Sequence, residues 1–284
     1  MDIKLVASDL DGTIIDKHNE VSPKNFHAIQ KIHNKKIKFV ICTGKSYSVS
    51  QKICQMFNAQ YGIFGNGNQI IDLETNEVIW KKTLSYKDLQ FIITFAKRFH
   101  YHCHVYSSFE VVTESFEFLD LRNLKLKNAN SGDNVEYVVV PDILKYIEEK
   151  NLEVFSVVIS TSKNTLKNFE NILEINNNID CTFISKRGKY RDNIINKDYE
   201  YLNITAKDVN KNTALKHLET ILDIPSQNVL AIGDNINDLE MVKNAGVGIA
   251  VFDSYDELKQ VAKFITTSSA SNGAFSEAIN KYIE

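Results

Sequence analysis

A short apolar run that ends in two aspartates constrains this fold more than any other stretch of the chain. Residues 3–8 read Ile-Lys-Leu-Val-Ala-Ser and lead directly into Asp9-Leu10-Asp11-Gly12-Thr13. A run of this kind, bounded by a glycine turn, is typical of a buried strand inside a parallel sheet. Because side chains i and i+2 of a strand point the same way, we expect Asp9 and Asp11 to lie together at its carboxyl end. Gly12 would let the backbone turn away, since glycine adopts positive φ without steric cost.

Two carboxylates at a strand end indicate either a site or a cap. Like charges that lie close together require a shared proton or a cation, which favours a functional site. A polar strand end in which both aspartates accept backbone N–H groups is a common structural alternative. The short pattern alone leaves both interpretations open, and the functional one gains weight only from residues later in the chain.

The residues after this turn predict a doubly wound α/β core. Ser22-Pro23 is a typical helix start, with serine as the N-cap and proline as the first helical residue. A second apolar run, residues 37–42, follows that helix and ends at Thr43-Gly44-Lys45. Strand, helix and strand in about 30 residues form a βαβ unit, whose parallel strands end at the same edge of the sheet. We therefore expect Thr43 to lie beside Asp9.

From about residue 84 the rhythm of the sequence changes, which predicts an inserted domain. Helical and strand-like runs are mixed there without glycine-rich strand ends, as is typical of an α+β domain. The predicted elements are helices over 85–100 and 165–176 and strands over 101–107, 110–113, 154–160 and 179–185. The run 199–205 is either the last strand of the insert or the strand that returns the chain. We predict a Rossmann-like, doubly wound parallel sheet core of residues 1–83 and 200–284, with residues 84–199 as the inserted α+β domain.

A second acidic turn repeats the first arrangement near the end of the chain. The apolar run 229–232 ends in Gly233-Asp234-Asn235-Ile236-Asn237-Asp238, so carboxylates again follow a buried strand. Around it we predict helices over 210–222, 239–243, 256–264 and 274–283 and a strand over 247–251. Ligands of open parallel sheets bind outside the carboxyl ends of the strands, so both acidic turns are expected to face one crevice.

Four acids in one crevice cannot all stay ionised without a cation. The predicted metal site comprises Asp9, Asp11, Asp234 and Asp238. Mg²⁺ suits these oxygen ligands better than zinc, since no cysteine or histidine accompanies them. Thr43 and Lys211 add a hydroxyl and an ammonium, which suits an incoming phosphate. For Lys211 the sequence alone favours a solvated lysine in a first helical turn, and for Thr43 an N-cap is as good an explanation as a functional role.

Composition limits the partners of this chain. It has 33 basic and 36 acidic residues, so no basic excess exists to drive binding to nucleic acid or an acidic membrane. No apolar run approaches membrane-spanning length, and the first strand begins within three residues of Met1, which leaves no room for a signal peptide. We expect a cytoplasmic protein that binds neither nucleic acid nor membranes and that is a monomer or a weak homodimer.

Cysteine and histidine spacing gives little support to a zinc site. The cysteines are Cys42, Cys54, Cys103 and Cys181. Because they are far apart and form no C-x-x-C pair, we expect buried, reduced thiols. His100, His102 and His104 alternate around Cys103 and could present three imidazoles on one strand face. An exposed strand face explains this alternation equally well, and we do not predict a metal there.

Together these motifs resemble the haloacid dehalogenase-like phosphatases, in particular the Cof-type subgroup with a large inserted C2-type cap. The D-x-D-G-T motif of that family corresponds to Asp9–Thr13, and the Thr or Ser that ends its second strand corresponds to Thr43. The third motif corresponds to the Lys211 region and the G-D-x-x-N-D motif to Gly233–Asp238. Order and spacing agree over essentially the whole chain.

The resemblance implies roles for these residues. Asp9 would be the nucleophile that forms an aspartyl-phosphate, and Asp11 the general acid and base. Mg²⁺ would be held by Asp9, the backbone carbonyl of Asp11 and Asp234, with Asp238 as a supporting acid. The expected phosphate-binding residues are Thr43, Gly44, Lys211 and Asn237. Lys45 stands where relatives commonly carry arginine, which loses bidentate geometry and leaves its role open.

The implied function is Mg²⁺-dependent hydrolysis of small phosphorylated metabolites, such as sugar phosphates or phosphorylated cofactors. A phosphotransferase or phosphomutase of the same superfamily would share every catalytic residue and is one alternative. A non-enzymatic module that is phosphorylated on aspartate is another, although Asp11 and the large insert speak against it. The basic loop Lys186–Arg191 could contact a second anionic group of a substrate, but a solvated loop is the simpler interpretation.

Overall fold

The computed structural model describes residues 2–115, 135–162, 166–173, 176–183 and 199–284. The chain divides into two compact units. The first unit comprises Met1–Lys45, Gln51–Lys81 and Asn210–Glu284, and the second comprises Ser46–Ser50 and Lys82–Val209.

Helices and strands alternate along much of the described chain. The helices lie at Pro23–Asn34 (α1), Tyr47–Phe57 (α2), Tyr86–Arg98 (α3), Ile143–Lys150 (α4), Leu166–Leu173 (α5), Lys211–Ile221 (α6), Leu239–Asn244 (α7), Asp256–Val261 (α8) and Ala274–Tyr282 (α9). The strands lie at Leu5–Ser8 (β1), Lys38–Cys42 (β2), Tyr61–Phe64 (β3), Gln69–Asp72 (β4), Glu77–Lys81 (β5), His102–Tyr106 (β6), Glu110–Thr113 (β7), Glu136–Val139 (β8), Ser156–Ser162 (β9), Ile179–Phe183 (β10), Tyr199–Ala206 (β11), Val229–Gly233 (β12), Val247–Ala250 (β13) and Phe264–Ile265 (β14).

The first unit contains an eight-stranded sheet in the order β14-β13-β12-β1-β2-β3-β4-β5. The strands from β14 to β3 are mutually parallel, and β4 and β5 add an antiparallel edge. From β1 the chain winds outward through β2 in one direction and through β12 in the other. The predicted doubly wound α/β core is confirmed, and the carboxyl ends of β1 and β12 lie at its topological switch point.

Local sequence explains the helices that border this edge. Ser22 caps α1 by accepting the backbone N–H of Asn25, and Pro23 is its first residue, as predicted. Asn210 caps α6 in the same way through the N–H of Thr213, at 2.9 Å. Lys211 is therefore fixed as the first residue of α6.

The predicted helix over 256–264 is partly wrong. Helix α8 ends at Val261, and Ala262 is extended. The backbone N–H of Lys263 donates to Gly248, and Phe264–Ile265 then pair in parallel with β13. Pairing with a free sheet edge, which is a tertiary contact, overrides the local helical pattern there.

The second unit contains a six-stranded sheet in the order β10-β11-β9-β6-β7-β8, antiparallel except for the β7–β8 pair. Helices α3, α4 and α5 contribute to its apolar core. This α+β composition agrees with the prediction, whereas strand β8 and helix α4 were not predicted. The asparagine-rich run 128–134, whose sequence predicts a polar loop, and the basic loop Lys186–Arg191 lie outside the described residues.

Strand β11 changes the predicted domain boundary. It pairs with β9 and β10 in the second sheet, and Leu202 and Ile204 are buried in the core of that unit. The run 199–205 is thus the last strand of the insert. The return to the first unit moves from residue 200 to Asn210 because the strand is held by sheet pairing that its own sequence does not reveal.

The histidine run is not an exposed strand face. His100 lies in the turn after α3 with φ 55°, outside the strand. His104 is buried, and the rings of His102 and His104 lie 5.5 Å apart on the same face of β6. Within the described ranges, the groups of three or more potential metal ligands do not include either histidine.

The structure also bears on the cysteines and on membrane-spanning helices. All four cysteines are free, and three of them are buried, as predicted. Among the described residues, no helix combines the length and the apolar character needed to cross a membrane.

Candidate active site

The two acidic turns meet where β1 and β12 end. Ser8 and Ile232 are partners in the parallel pair, and the backbone N–H of Asp9 donates to Ile232 at 3.0 Å. One carboxylate oxygen from each of Asp9, Asp234 and Asp238 lies within 4.8 Å of the others. Adjacent parallel strands thus bring together acids that are more than 220 residues apart in the sequence.

Lys211 is buried inside this acidic cluster. Its side chain has no exposed surface, and its Nζ lies 2.6 Å from an oxygen of Asp9 and 2.6 Å from an oxygen of Asp238. The solvated lysine that the sequence favoured is therefore wrong. An ammonium without water needs opposite charges at hydrogen-bond distance, and the two aspartates provide them.

Asp238 uses both of its oxygens to hold the second acidic turn. Oδ1 accepts from Lys211, while Oδ2 accepts the backbone N–H groups of Asp234 at 3.1 Å and of Asn235 at 3.0 Å. Asn235 also caps the short 3-10 turn that follows. A fully engaged carboxylate of this kind fixes the turn and adds negative charge, which suits the supporting role implied by the resemblance.

Burial and crowding shift the pKa values in the cluster. Burial raises the pKa of Asp9 to about 7, against the opposing effect of Lys211. The charges of Asp238 and Asp11 contribute to this raised value. Burial, then Asp9 and Asp238, raise the pKa of Asp234 well above its ordinary value. Burial alone would lower the pKa of Lys211, but the two aspartates raise it above its ordinary value, so its ammonium stays charged.

The donor set fits a hard divalent cation. When ionised, the three clustered aspartates and Lys211 carry a net charge of two negative units. Every potential ligand atom is a carboxylate oxygen, the donor type that Mg²⁺ prefers. Burial is the largest cause of the raised pKa values of Asp9 and Asp234, and the neighbouring carboxylates add to it. The Asp9–Asp234 side of this cluster fits Mg²⁺.

Asp11 does not join the cluster through its side chain. Its carboxylate is partly exposed and forms an ion pair with Lys45, whose Nζ lies 2.7 Å from Oδ1. Gly12, which follows Asp11, adopts φ 87°, and a Cβ at that position would lie 2.4 Å from Asp234 Oδ2. Glycine is therefore required where the first turn passes the second.

The predicted phosphate-binding residues lie in the turn after β2, at the start of α6 and in the 3-10 turn after β12, all within the first unit. Thr43 is buried, and its hydroxyl accepts the N–H of Lys45 at 3.2 Å, which stabilises the turn after β2. Gly44 and Asn237 are exposed. The amide nitrogen of Asn237 donates to Asn66 Oδ1 at 2.8 Å.

Sequence reasoning missed two contacts around the site. The hydroxyl of Thr13 lies 3.4 Å from Asp234 Oδ1, although Thr13 was noted only as part of a motif. The partner of Asn237, Asn66, lies in the turn Gly65-Asn66-Gly67-Asn68, whose two glycines are compatible with a close backbone approach and equally with a tight turn. That glycine pattern was the available signal, but it carried no information about which loop would be approached.

The fold and the acidic cluster define a doubly wound α/β protein with aspartates grouped at the switch point of its sheet. The sequence model of the haloacid dehalogenase-like hydrolases matches residues 6–279, and the chain belongs to that family. The resemblance inferred from the motifs is thereby confirmed.

Known relatives match along the whole chain. A phosphoglycolate phosphatase of Methanobrevibacter smithii is 26% identical over 286 residues, which cover 100% of both chains. The 5-amino-6-(5-phospho-D-ribitylamino)uracil phosphatase YcsE of Bacillus subtilis is 23% identical over 100% of this chain and 97% of its own. The crystal structure of a haloacid dehalogenase-like hydrolase from Bacteroides thetaiotaomicron superposes with a TM-score of 0.82, covering 98% of this chain and 99% of that one at 23% identity. This last likeness supports the fold.

Proposed function

We propose that this protein is a Mg²⁺-dependent phosphatase that hydrolyses small phosphate monoesters through an aspartyl-phosphate on Asp9. The observation that carries the proposal is the buried Asp9 carboxylate, bonded to the Lys211 ammonium beside Asp234 and Asp238. A nucleophilic carboxylate next to fixed positive charge is suited to displacement at a phosphoryl group, whose oxygens repel an unassisted anion.

The enzyme class is phosphoric monoester hydrolase. Membership of the haloacid dehalogenase-like hydrolases and whole-length relatives named as phosphatases support this class. Those relatives act on phosphoglycolate and on a phosphorylated ribitylaminouracil, as their names state. We extend this to the present chain as a preference for small phosphorylated metabolites, without choosing among them.

The reaction would proceed in two displacements at phosphorus. An oxygen of Asp9 bonds to phosphorus while the bond to the ester oxygen breaks, and Asp11 supplies the proton that the leaving oxygen takes. Water then attacks phosphorus, gives a proton to Asp11 and displaces Asp9, which releases phosphate and restores both carboxyl groups. The Lys211 ammonium favours the ionised form of Asp9, and Lys45 holds the Asp11 carboxylate at 2.7 Å.

Four residues would hold the phosphoryl oxygens, and a separate group of aspartates would hold the metal. Thr43, Gly44, Lys211 and Asn237 are the proposed phosphate-binding residues. Asp9, Asp234 and the backbone carbonyl of Asp11 would hold Mg²⁺, with Asp238 in support. When bound, the cation would neutralise charge on the phosphoryl group.

The two structural units are proposed to divide the work. The first unit carries every residue named in the reaction, so we assign catalysis to it. We assign substrate preference to the second unit as the inserted cap, in keeping with the resemblance.

Phosphate release from a panel of phosphate monoesters, with and without Mg²⁺, tests the proposal. Replacing the nucleophile by Asp9→Asn is expected to lower release on the order of 10⁴-fold or more. Asp256→Asn is the matched control, since its side chain is 91% exposed on α8.

Two results would contradict the hydrolase. Transfer of the phosphoryl group to a sugar, with no free phosphate, would indicate a phosphotransferase or phosphomutase. A long-lived aspartyl-phosphate with negligible turnover would indicate a signalling module. Release that is independent of Mg²⁺ would reject the proposed metal site.

A further inference from the structure

The Gly65–Asn68 turn, between β3 and β4, is fastened to the loop that carries Thr43. The backbone N–H of Asn66 donates to the Thr43 carbonyl at 3.0 Å, and the N–H of Gly65 donates to the Lys45 carbonyl at 2.9 Å. Two main-chain bonds therefore hold the turn against the residues that follow β2.

The Asn66 side chain joins two loops that were assigned to phosphate binding. Its Oδ1 accepts the Asn237 amide at 2.8 Å. The same side chain lies against Gly44, because a Cβ at Gly44 would be 2.9 Å from Asn66 Oδ1. Asn66 itself adopts φ 59°, a left-handed conformation that asparagine tolerates better than most residues.

The same turn also contacts the start of helix α6. Gly67 has φ 110°, and a Cβ there would lie 2.3 Å from the backbone oxygen of Asn210. Asn210 is the N-cap that places Lys211 as the first helical residue. One four-residue turn thus touches the Thr43 loop, the Asn237 turn and the helix start that carries Lys211.

We propose that Asn66 is a positioning residue that orients the Asn237 amide for an incoming phosphoryl group, an inference that rests on the proposed function. Asn237 is exposed, so packing does not fix its side chain. Phosphoryl oxygens only accept hydrogen bonds, so Asn237 must present an N–H to them. The bond to Asn66 Oδ1 uses one amide hydrogen and leaves the other for the ligand. The reversed amide would place two carbonyl oxygens against each other.

The test measures inhibition by inorganic phosphate together with kcat and KM. Asn66→Gly removes the amide and keeps a residue that tolerates φ 59°. We expect it to weaken phosphate binding about 10-fold, the cost of one hydrogen bond to a charged ligand. Asn76→Gly is the matched control, since Asn76 has φ 60° in the exposed turn between β4 and β5, and we expect no change.

A double-mutant cycle separates positioning from a merely structural role. If Asn66 acts through Asn237, then Asn237→Ala weakens phosphate binding in the native protein and adds almost nothing after Asn66→Gly. Asn66→Asp keeps the acceptor oxygen and the backbone preference. In the Asn66→Asp background, Asn237→Ala is still expected to weaken phosphate binding. Because both proteins in this comparison carry the added charge, the difference between them measures the coupling without it.

Additive losses in the cycle, or an Asn66→Gly variant with a lower Tm and unchanged phosphate inhibition, would overturn the positioning role. The proposed function fails separately, if the native protein neither releases phosphate nor is inhibited by it, and the role of Asn66 then falls with it. Native turnover with an unaffected Asn66→Gly variant rejects Asn66 alone.

Discussion

The two units bury ionisable side chains in opposite ways. In the first unit Asp9, Asp238 and Lys211 lie together within hydrogen-bond distance. In the second unit His104 is buried between His102 and Tyr106, whose rings lie 5.5 and 5.2 Å from its own. Burial disfavours charge in both places, but only the first supplies opposite charges. Lys211 thus stays charged at the proposed reaction centre, whereas the pKa values of the two histidines in the second sheet are lowered so that they are neutral.

This difference predicts opposite responses to pH. Burial lowers the pKa of His104 to about 3 and that of His102 to about 4, so both imidazoles are neutral near neutral pH. Burial raises the pKa of Asp9 to about 7 in the metal-free protein. Acid should therefore weaken the second unit, while it relieves charge in the first.

The two units can be followed separately. Trp80 is the single tryptophan, and it lies in the first unit, stacked on His217 at 4.8 Å. Its fluorescence reports the unfolding of that unit, whereas far-UV circular dichroism reports both. Every stability prediction below uses this pair of signals.

Lys211→Met should have the largest effect on stability. It leaves Asp9 and Asp238 buried without their cation, which is expected to cost about 3–5 kcal/mol in free energy of unfolding at pH 7. At pH 5 the loss should be smaller, because Asp9, whose pKa is raised to about 7, is then protonated. Denaturant unfolding of the metal-free protein, followed by Trp80 fluorescence, measures it.

Lys207→Met is the matched control for that prediction. Lys207 pairs with Asp180 at 2.6 Å in the second unit, but half of its side chain is exposed. Solvent screens such a pair, so stability should change little. Equal losses in the two variants would contradict the idea that burial makes the first cluster special.

The next largest effect is expected on Mg²⁺ affinity, which should rise with pH. Protons compete with the cation for Asp9, whose pKa is about 7 without metal. Apparent affinity at pH 5.5 is therefore expected to be at least about 30-fold weaker than at pH 8. Calorimetric titration with Mg²⁺ at both pH values measures it, and equal affinities would remove Asp9 from the metal site.

His104→Gln should produce the smallest effect on stability. This effect should grow as the pH falls, whereas that of Lys211→Met should shrink. The lowered pKa means that the unfolded chain binds a proton first, so stability is lost as pH falls below about 6.5. Between pH 7.5 and 5.5 this amounts to about 1.4 kcal/mol, which the variant should no longer lose. The circular dichroism transition measures it, with exposed His18→Gln as the control. An unchanged acid response would contradict a buried, neutral His104.

Local patterns were sufficient for the elements that carry the site. Short apolar runs bounded by turn residues placed the strands before Asp9, Thr43 and Asp234, because each signal lies within a few consecutive residues. The cap at Ser22 was also readable, since its hydrogen bond spans three residues.

The sequence by itself determined the strand ends, the order of the motifs and so the family. Tertiary structure decided which groups meet: Lys211 reaches Asp9 across 202 residues, Asn237 reaches Asn66 across 171, and β11 joins the second sheet. The solvated lysine and the domain boundary at residue 200 were wrong for this reason. Hydrophobic periodicity encodes which side of an element is buried, but a polar side chain acquires its partner only when distant strands pair and bring their ends together.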